Sequence, residues 1–255
     1  MQQNRISTEE NKPTSSVFEK GMTAAEVIIR LKGIKAQINS FVFVAYKVAQ
    51  DLDGRLNFTQ LENKVIEKAT RLANQHRIPF WVTALITYMD EPGTSDSLIR
   101  EAILHDKRGE KELAIDRDDL NSEVLAASMS QLAPGFALAV CSRVTLNDGT
   151  TAHIPMIDFR CPPSDESLRK IKNALRHIGQ DKGVFLESGK SYHYYGLDLI
   201  NEKEWQAFLG KCLLLAPIID TRYIAHRLID SLCRLRISST ELKPQVPRVV
   251  DVIDG

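Results

Sequence analysis

Apolar positions recur at helical spacing through the first half of the chain and at strand spacing through much of the second. Thr23 and Glu26 form T-x-x-E, a capping-box pair that opens a helix. Behind them Ala24, Val27, Ile28, Leu31, Ile34 and Ile38 repeat every three or four residues. The run Phe41 to Val48 is continuously apolar, which fits a buried helix or a strand, and it reads as a continuation of the helix. Asp51-Leu-Asp-Gly54 is a turn. Thr59 and Glu62 repeat the capping box ahead of Leu61, Val65, Ala69 and Leu72, and Pro79 stands beyond that helix's end. Trp81 to Met89 predicts a further short helix, and Glu91-Pro-Gly-Thr94 breaks it. Residues 95 to about 132 read as helical, interrupted by a solvated charged loop over His105 to Glu112.

The pattern changes at Ala133-Pro-Gly135. Phe136 to Leu146 and Thr151 to Phe159 are rich in strand formers, and Asn147-Asp148-Gly149 between them is a hairpin signal. Ser164 starts a helix with Leu168, Ile171, Leu175 and Ile178 on one face and Gly179 at its stop. Short strands at Val184–Glu187 and Tyr192–Tyr195 flank Ser188-Gly189-Lys190-Ser191. Asn201 with Glu204 caps a helix carrying Trp205, Phe208, Leu209 and Cys212 inward. A helix over Thr221–Leu232 and strands near Arg234–Ser238 and Val246–Ile253 complete the series.

The predicted class is α+β: a mostly helical N-terminal half, then an α+β domain with a largely antiparallel sheet. The expected organisation is a disordered polar tail over 1–18, a mainly helical region over 19–132 and the mixed domain over 133–255. Composition changes this picture little. The formal net charge is zero over 255 residues, so any nucleic-acid surface has to be a local patch. The four cysteines are scattered without a CxxC pair, so no zinc is expected and the thiols read as reduced, in a cytoplasmic protein. No apolar run reaches membrane length, and no membrane partner is expected. Lys64, Lys68 and Arg71 on one helix flank read as a solvated face.

Three places carry candidate chemistry. Asp158 and Arg160, two apart on a strand, share a face, and an acid at a strand end is a candidate metal ligand. Ser188, Lys190 and Ser191 around Gly189 offer donors to phosphate, with His193 on the strand that follows. Gly189-Lys190-Ser191 is not a Walker A loop, because position 184 is valine where that motif needs glycine. Asp220 is either a helix N-cap or an acidic ligand, and Arg234 and Arg236 share a strand face from which they could grip phosphate.

The order of these features resembles the archaeo-eukaryotic primase superfamily, which includes primase-polymerases. That family has an hDhD or hDhE motif, then s-x-H, then hD, then a basic stretch. Ile157-Asp158, Ser191-Tyr192-His193 with Ser188-Gly189 ahead of it, Ile219-Asp220, and Arg227, Arg234 and Ser238-Ser239-Thr240 match them in turn, over residues 136 to 253. The resemblance implies Asp158 and Asp220 as catalytic metal ligands, with Ser191 and His193 on phosphate and Arg234 and Arg236 steadying nucleotide or template. Arg160 stands where the family has a second acid, so Mg²⁺ or Mn²⁺ is expected at one site at most. The expected function is a primase-like protein that binds nucleoside triphosphate or single-stranded nucleic acid, with polymerisation lost or weak. Two alternatives are an active metal-dependent primase-polymerase, and a non-catalytic module whose helical half docks a protein partner or a second copy.

Overall fold

The computed structural model describes residues 14–48, 59–76, 78–93, 96–105, 107 and 109–255. Most of the expected tail, and the turn expected at 51–54, lie outside them. Thr14–Val17 (α1) is a short helix and Phe18 is buried, so the chain is already folded before residue 18. Ala24–Ile34 (α2) carries the capping box formed by Thr23 and Glu26. Ile38–Lys47 (β1) is a strand, which corrects the helix expected over 41–48. The reason is burial: β1 lies between two neighbours in a sheet, with Phe41, Phe43 and Val44 all buried. A strand covered on both faces loses the alternation that would betray it.

Residues 49–108 form a separate unit whose described residues hold three helices: Gln60–His76 (α3), Phe80–Asp90 (α4) and Ser97–Ile103 (α5). The Thr59–Glu62 capping box is present, with Thr59 N donating to Glu62 at 2.7 Å. Thr83 Oγ1 donates to Ala69 O at 3.0 Å and joins α4 to α3.

The other unit comprises residues up to 48 together with 109–255. The division expected at 132/133 is therefore corrected, because sheet pairing carries α2 and β1 into the second half. Lys111–Asp116 (β2) is an edge strand where helix and charged loop were expected. Ser122–Ser130 (α6) follows, then Phe136–Leu146 (β3), Thr151–His153 (β4) and Met156–Asp158 (β5). Asp165–His177 (α7) leads to Gly183–Glu187 (β6) and Tyr192–Gly196 (β7). Glu202–Leu213 (α8), Thr221–Asp230 (α9), Arg234–Arg236 (β8) and Arg248–Ile253 (β9) complete the unit.

Two antiparallel sheets result. One runs β2-β1-β3-β4, with β8 also on β3; the other runs β5-β7-β6-β9. Beside β3, β8 pairs with residues 139–141 and β4 with residues 143–145, so the two short strands lie end to end. The single strand expected over 151–159 is thus two strands in different sheets. The chain changes sheet at Ile154–Pro155, where Ile154 N still donates to Ser142 O and Pro155 O accepts from Gly196 N. Gly183 and Gly196 face each other in register, and the Tyr194 ring occupies the space where a Cβ on Gly183 would lie. The α+β class with antiparallel sheets, and helices mainly in the first half, is as the sequence predicts.

Candidate functional site

The candidate residues come together where β5 ends. Asp158 and His193 are register partners on β5 and β7, and His193 Nε2 stands 3.8 Å from Asp158 Oδ1. One residue later Phe159 bridges Ile219, and Arg160 N donates to Ile218 O at 2.7 Å. This pairing brings Asp220, at the start of α9, beside Asp158. Asp220 is the N-cap of α9, its carboxylate accepting from Arg222 N at 2.9 Å, and its charge acts on Asp158. Strand alternation holds across the bridge, since Phe159 is buried while Asp158 is half-buried and Arg160 exposed.

The Ser188–Ser191 turn is built largely from its own contacts. Ser191 Oγ donates to Phe159 O and accepts from Cys161 N at 3.2 Å, so this hydroxyl fastens the end of β5. Ser188 N and Oγ both donate to Ser191 O. Gly189 has φ of +110°, a conformation that glycine adopts without strain, and the Gln245 side chain of loop 238–247 approaches it closely. Lys190 is exposed.

Arg236 is buried and makes no ion pair among the described residues. Its Nη1 donates to Ser238 O and to Gln245 O, and its Nη2 to Ser188 O. It ties the turn to the loop and places a positive charge behind them, within electrostatic reach of Asp158. Arg234, on the same strand face, has carboxylates instead: Glu110 at 2.6 Å and Asp230 at 3.9 Å, with Tyr46 beneath its guanidinium. Buried Arg227 reaches Asp230 at 3.3 Å and lies over the Tyr223 ring.

Sequence reasoning missed Lys243. It is exposed, set by a turn in which Thr240 N donates to Lys243 O and Lys243 N to Thr240 O, and its charge acts on both Asp158 and His193. Its position in the chain, between Leu242 and Pro244, offers no signal of this. Tyr46 and Tyr195 were missed as well; both lie within electrostatic reach of Asp158 and Arg236.

The electrostatics follow from burial and these cations. Burial pushes His193 down to about 3, and Arg236 and Lys243 push the same way, so the imidazole is neutral at pH 7. Burial pushes Asp158 up to about 6; Asp220 adds to this, while Lys243, Arg236 and Arg227 oppose it. Asp158 nevertheless keeps 40% of its side chain exposed. Three buried groups near Asp158 hold polar atoms with no hydrogen-bond partner among the described residues: His193 Nδ1, Tyr195 Oη, and Arg227 Nε and Nη1.

An ionised Asp158 is therefore maintained at some cost in stability. The folded pKa is raised, so the folded state is favoured below pH 3.8 and loses that advantage as pH rises through about 6. Asp158→Asn is expected to stabilise the protein at pH 8. The full shift corresponds to roughly 3 kcal/mol, and water access reduces this to about 1 kcal/mol. Melting curves in chelator at pH 8 and pH 4 check this: the gain should appear at pH 8 and vanish at pH 4.

A divalent cation fits here only in part. Among the described residues no group of three His, Cys, Asp or Glu side chains could hold a metal ion. Two metals need several carboxylates between them, and here Asp158 and Asp220 are two, one already accepting a capping bond. The residues do not fit a two-metal centre.

A second polar cluster has the connectivity of a hydrolytic triad. Ser142 Oγ lies 3.1 Å from His153 Nδ1, and His153 Nε2 lies 2.9 Å from Glu202 Oε2. Ser142 and His153 are completely buried, and Ser142 Oγ accepts from Cys233 N at 2.8 Å. No substrate reaches such a hydroxyl. The relay instead joins β3, β4, α8 and the approach to β8, with His153 stacked on Trp205 at 4.6 Å. Ser142→Ala strips partners from Cys233 N and His153 Nδ1 and is expected to destabilise by about 1.5 kcal/mol in urea unfolding.

A family model described as archaeo-eukaryotic primase 1D-like matches residues 116–248. The match covers just over half of the chain and includes every candidate residue above except Tyr46 and Glu110. No curated protein and no solved structure matches the chain.

Proposed function

Because the chain belongs to the archaeo-eukaryotic primase 1D-like family, we propose that the surface around Asp158, His193, Arg236 and Lys243, which we call the recess, binds the phosphates of a nucleoside triphosphate or of single-stranded nucleic acid, with polymerisation lost or weak. The observation that carries this is Arg236, a buried cation with carbonyl partners and no carboxylate, behind a turn whose neighbour is the exposed Lys243. A cation so placed leaves positive potential that a bound anion neutralises. In this reading Lys243 and Lys190 meet the anion from the solvent side, and neutral His193 supports it from the floor. Ser188, Ser191 and Arg236 hold the shape of the turn, and Arg234, matched to Glu110 and Asp230, positions β8. Asp158 and Asp220 hold one Mg²⁺ or Mn²⁺ at most. Arg160, in place of a second acid, weakens that site further.

Two measurements test it. Titration calorimetry with a nucleoside triphosphate is expected to detect binding, and Lys243→Ala to weaken it about tenfold, the loss of one charge-assisted contact. Primer extension with Mg²⁺ or Mn²⁺ is expected to be absent or weak in wild type and to rise in Arg160→Asp. Strong incorporation by wild type that Asp158→Ala abolishes would overturn the loss of polymerisation and establish an active primase-polymerase.

One feature favours an interaction module instead. Val82, Ile86 and Met89 are exposed at helical spacing on α4. A dimeric mass in solution that becomes monomeric in Ile86→Glu would support a second copy as the partner of that stripe.

A further inference from the structure

Away from the recess, α7 concentrates charge for which the reading above has no use. Leu168, Ile171 and Leu175 bury one side of this helix. Another side presents Arg169, Lys172 and Arg176, spaced by three and four residues and so aligned along one stripe. With Asn173, with Leu168 at the base, with Asp165 at the N-terminal end of the helix and with Asp251 of β9 they line an open groove of about 310 Å³.

Within it, Lys172 Nζ is held at 2.5 Å by Asp251, whose other oxygen accepts from Val252 N. The one carboxylate on the β9 side is thereby committed. Arg169 and Arg176 flank it, exposed and without an ion pair among the described residues. Arg176 comes seven positions after Arg169, which at 1.5 Å per residue is about 10 Å along the helix axis. On a chain of zero net charge this is a local cationic track.

We propose that the α7 groove binds the sugar–phosphate backbone of a single-stranded nucleic acid, as a second contact surface beside the recess. The inference rests on the nucleic-acid reading of the recess. Guanidinium groups donate paired hydrogen bonds to phosphate oxygens, and two so spaced contact separate phosphates of one extended strand. The groove holds no aromatic side chain on which a base could stack, so binding is independent of base sequence and dependent on salt. No large hydrophobic side chain of α7 is exposed, whereas a membrane-binding helix needs an apolar face and a protein interface an apolar centre.

The test is fluorescence anisotropy with labelled oligothymidylate of about twenty nucleotides, over roughly 50–200 mM salt. The proteins are wild type, Arg169→Glu/Arg176→Glu and the milder Arg169→Gln/Arg176→Gln. Wild type is expected to bind. The Glu pair is expected to weaken binding at least tenfold at low salt, and the Gln pair to lower the salt slope by about 1.4, two phosphate contacts at ~0.7 each. Nucleoside triphosphate binding should stay unchanged in both. Unaltered affinity and slope in the variants overturns the groove while leaving the recess standing. Wild-type protein that takes the nucleotide and no oligonucleotide does the same, and polyglutamate competing as well as the oligonucleotide overturns the assignment to phosphate. Loss of nucleotide binding from wild type, with the groove variants still weakening the oligonucleotide, overturns the recess instead.

Discussion

Arg236→Met is expected to lower the melting temperature by roughly 10 °C and to abolish nucleotide binding together. The guanidinium is buried and serves three backbone carbonyls, those of Ser188, Ser238 and Gln245. Methionine fills most of the volume and donates nothing. Hydrogen bonds from a charged donor are worth about 1.5–3 kcal/mol each, but water at the recess rescues part of the loss, so about 3 kcal/mol is expected. In a unit of this size that is a shift of roughly 6–12 °C. The functional loss has a separate cause. Arg236 joins the Ser188–Ser191 turn to the loop that carries Lys243, and it supplies positive potential to both Asp158 and His193. Arg236→Lys separates the two: it keeps the charge but cannot reach three carbonyls from one fork. Stability is then expected to fall almost as far as in Arg236→Met, while weak nucleotide binding survives. If Arg236→Met binds nucleotide as wild type does, the recess owes its affinity to another group.

What the sequence revealed of this arrangement was its local part. The caps at Thr23, Thr59, Ser164, Asn201 and Asp220 all stand where expected, because a cap is made with a backbone N–H two or three residues away. The hairpin turn at Ser188–Ser191 was legible for the same reason. The strand β1 was hidden by burial on both faces, and the break between β4 and β5 at Pro155 was masked by a continuous run of strand formers. At the site, the order of Asp158, His193 and Asp220 along the chain foretold their convergence, because β5, β7 and the entrance to α9 are laid side by side by backbone pairing. The chemistry of the arginines was not legible. Arg234 finds Glu110, 124 residues earlier, and Arg236 finds Ser188, 48 residues earlier; no spacing rule connects either pair. Lys243 belongs with them, a surface lysine that the fold places beside an aspartate 85 residues away.

His193→Gln is expected to make the protein resist acid better than wild type. The native imidazole is held near 3, against 6.5 for a free histidine, first by burial and then by Arg236 and Lys243. Below pH 6.5 the unfolded chain therefore takes up a proton that the native state refuses, so stability is lost as pH falls from 6.5 towards 3. At pH 5 this amounts to about 2 kcal/mol, and the side chain is only 6% exposed, so little is screened away. Asp158 acts in the opposite sense, gaining stability below about 6, but its exposure makes the gain the smaller of the two. Glutamine keeps much of the shape and does not titrate. Melting curves in chelator should show wild type losing roughly 4–8 °C more than His193→Gln between pH 7 and pH 5. Equal losses would mean that the imidazole is protonated in the native state and that the cations do not reach it. Repeating the pair with saturating nucleoside triphosphate extends the argument to function. Phosphate charge beside His193 favours the imidazolium and offsets Arg236 and Lys243, so the acid penalty of wild type should shrink while that of His193→Gln stays as it was. A penalty that nucleotide leaves unchanged would place the triphosphate away from His193, and with it away from the recess.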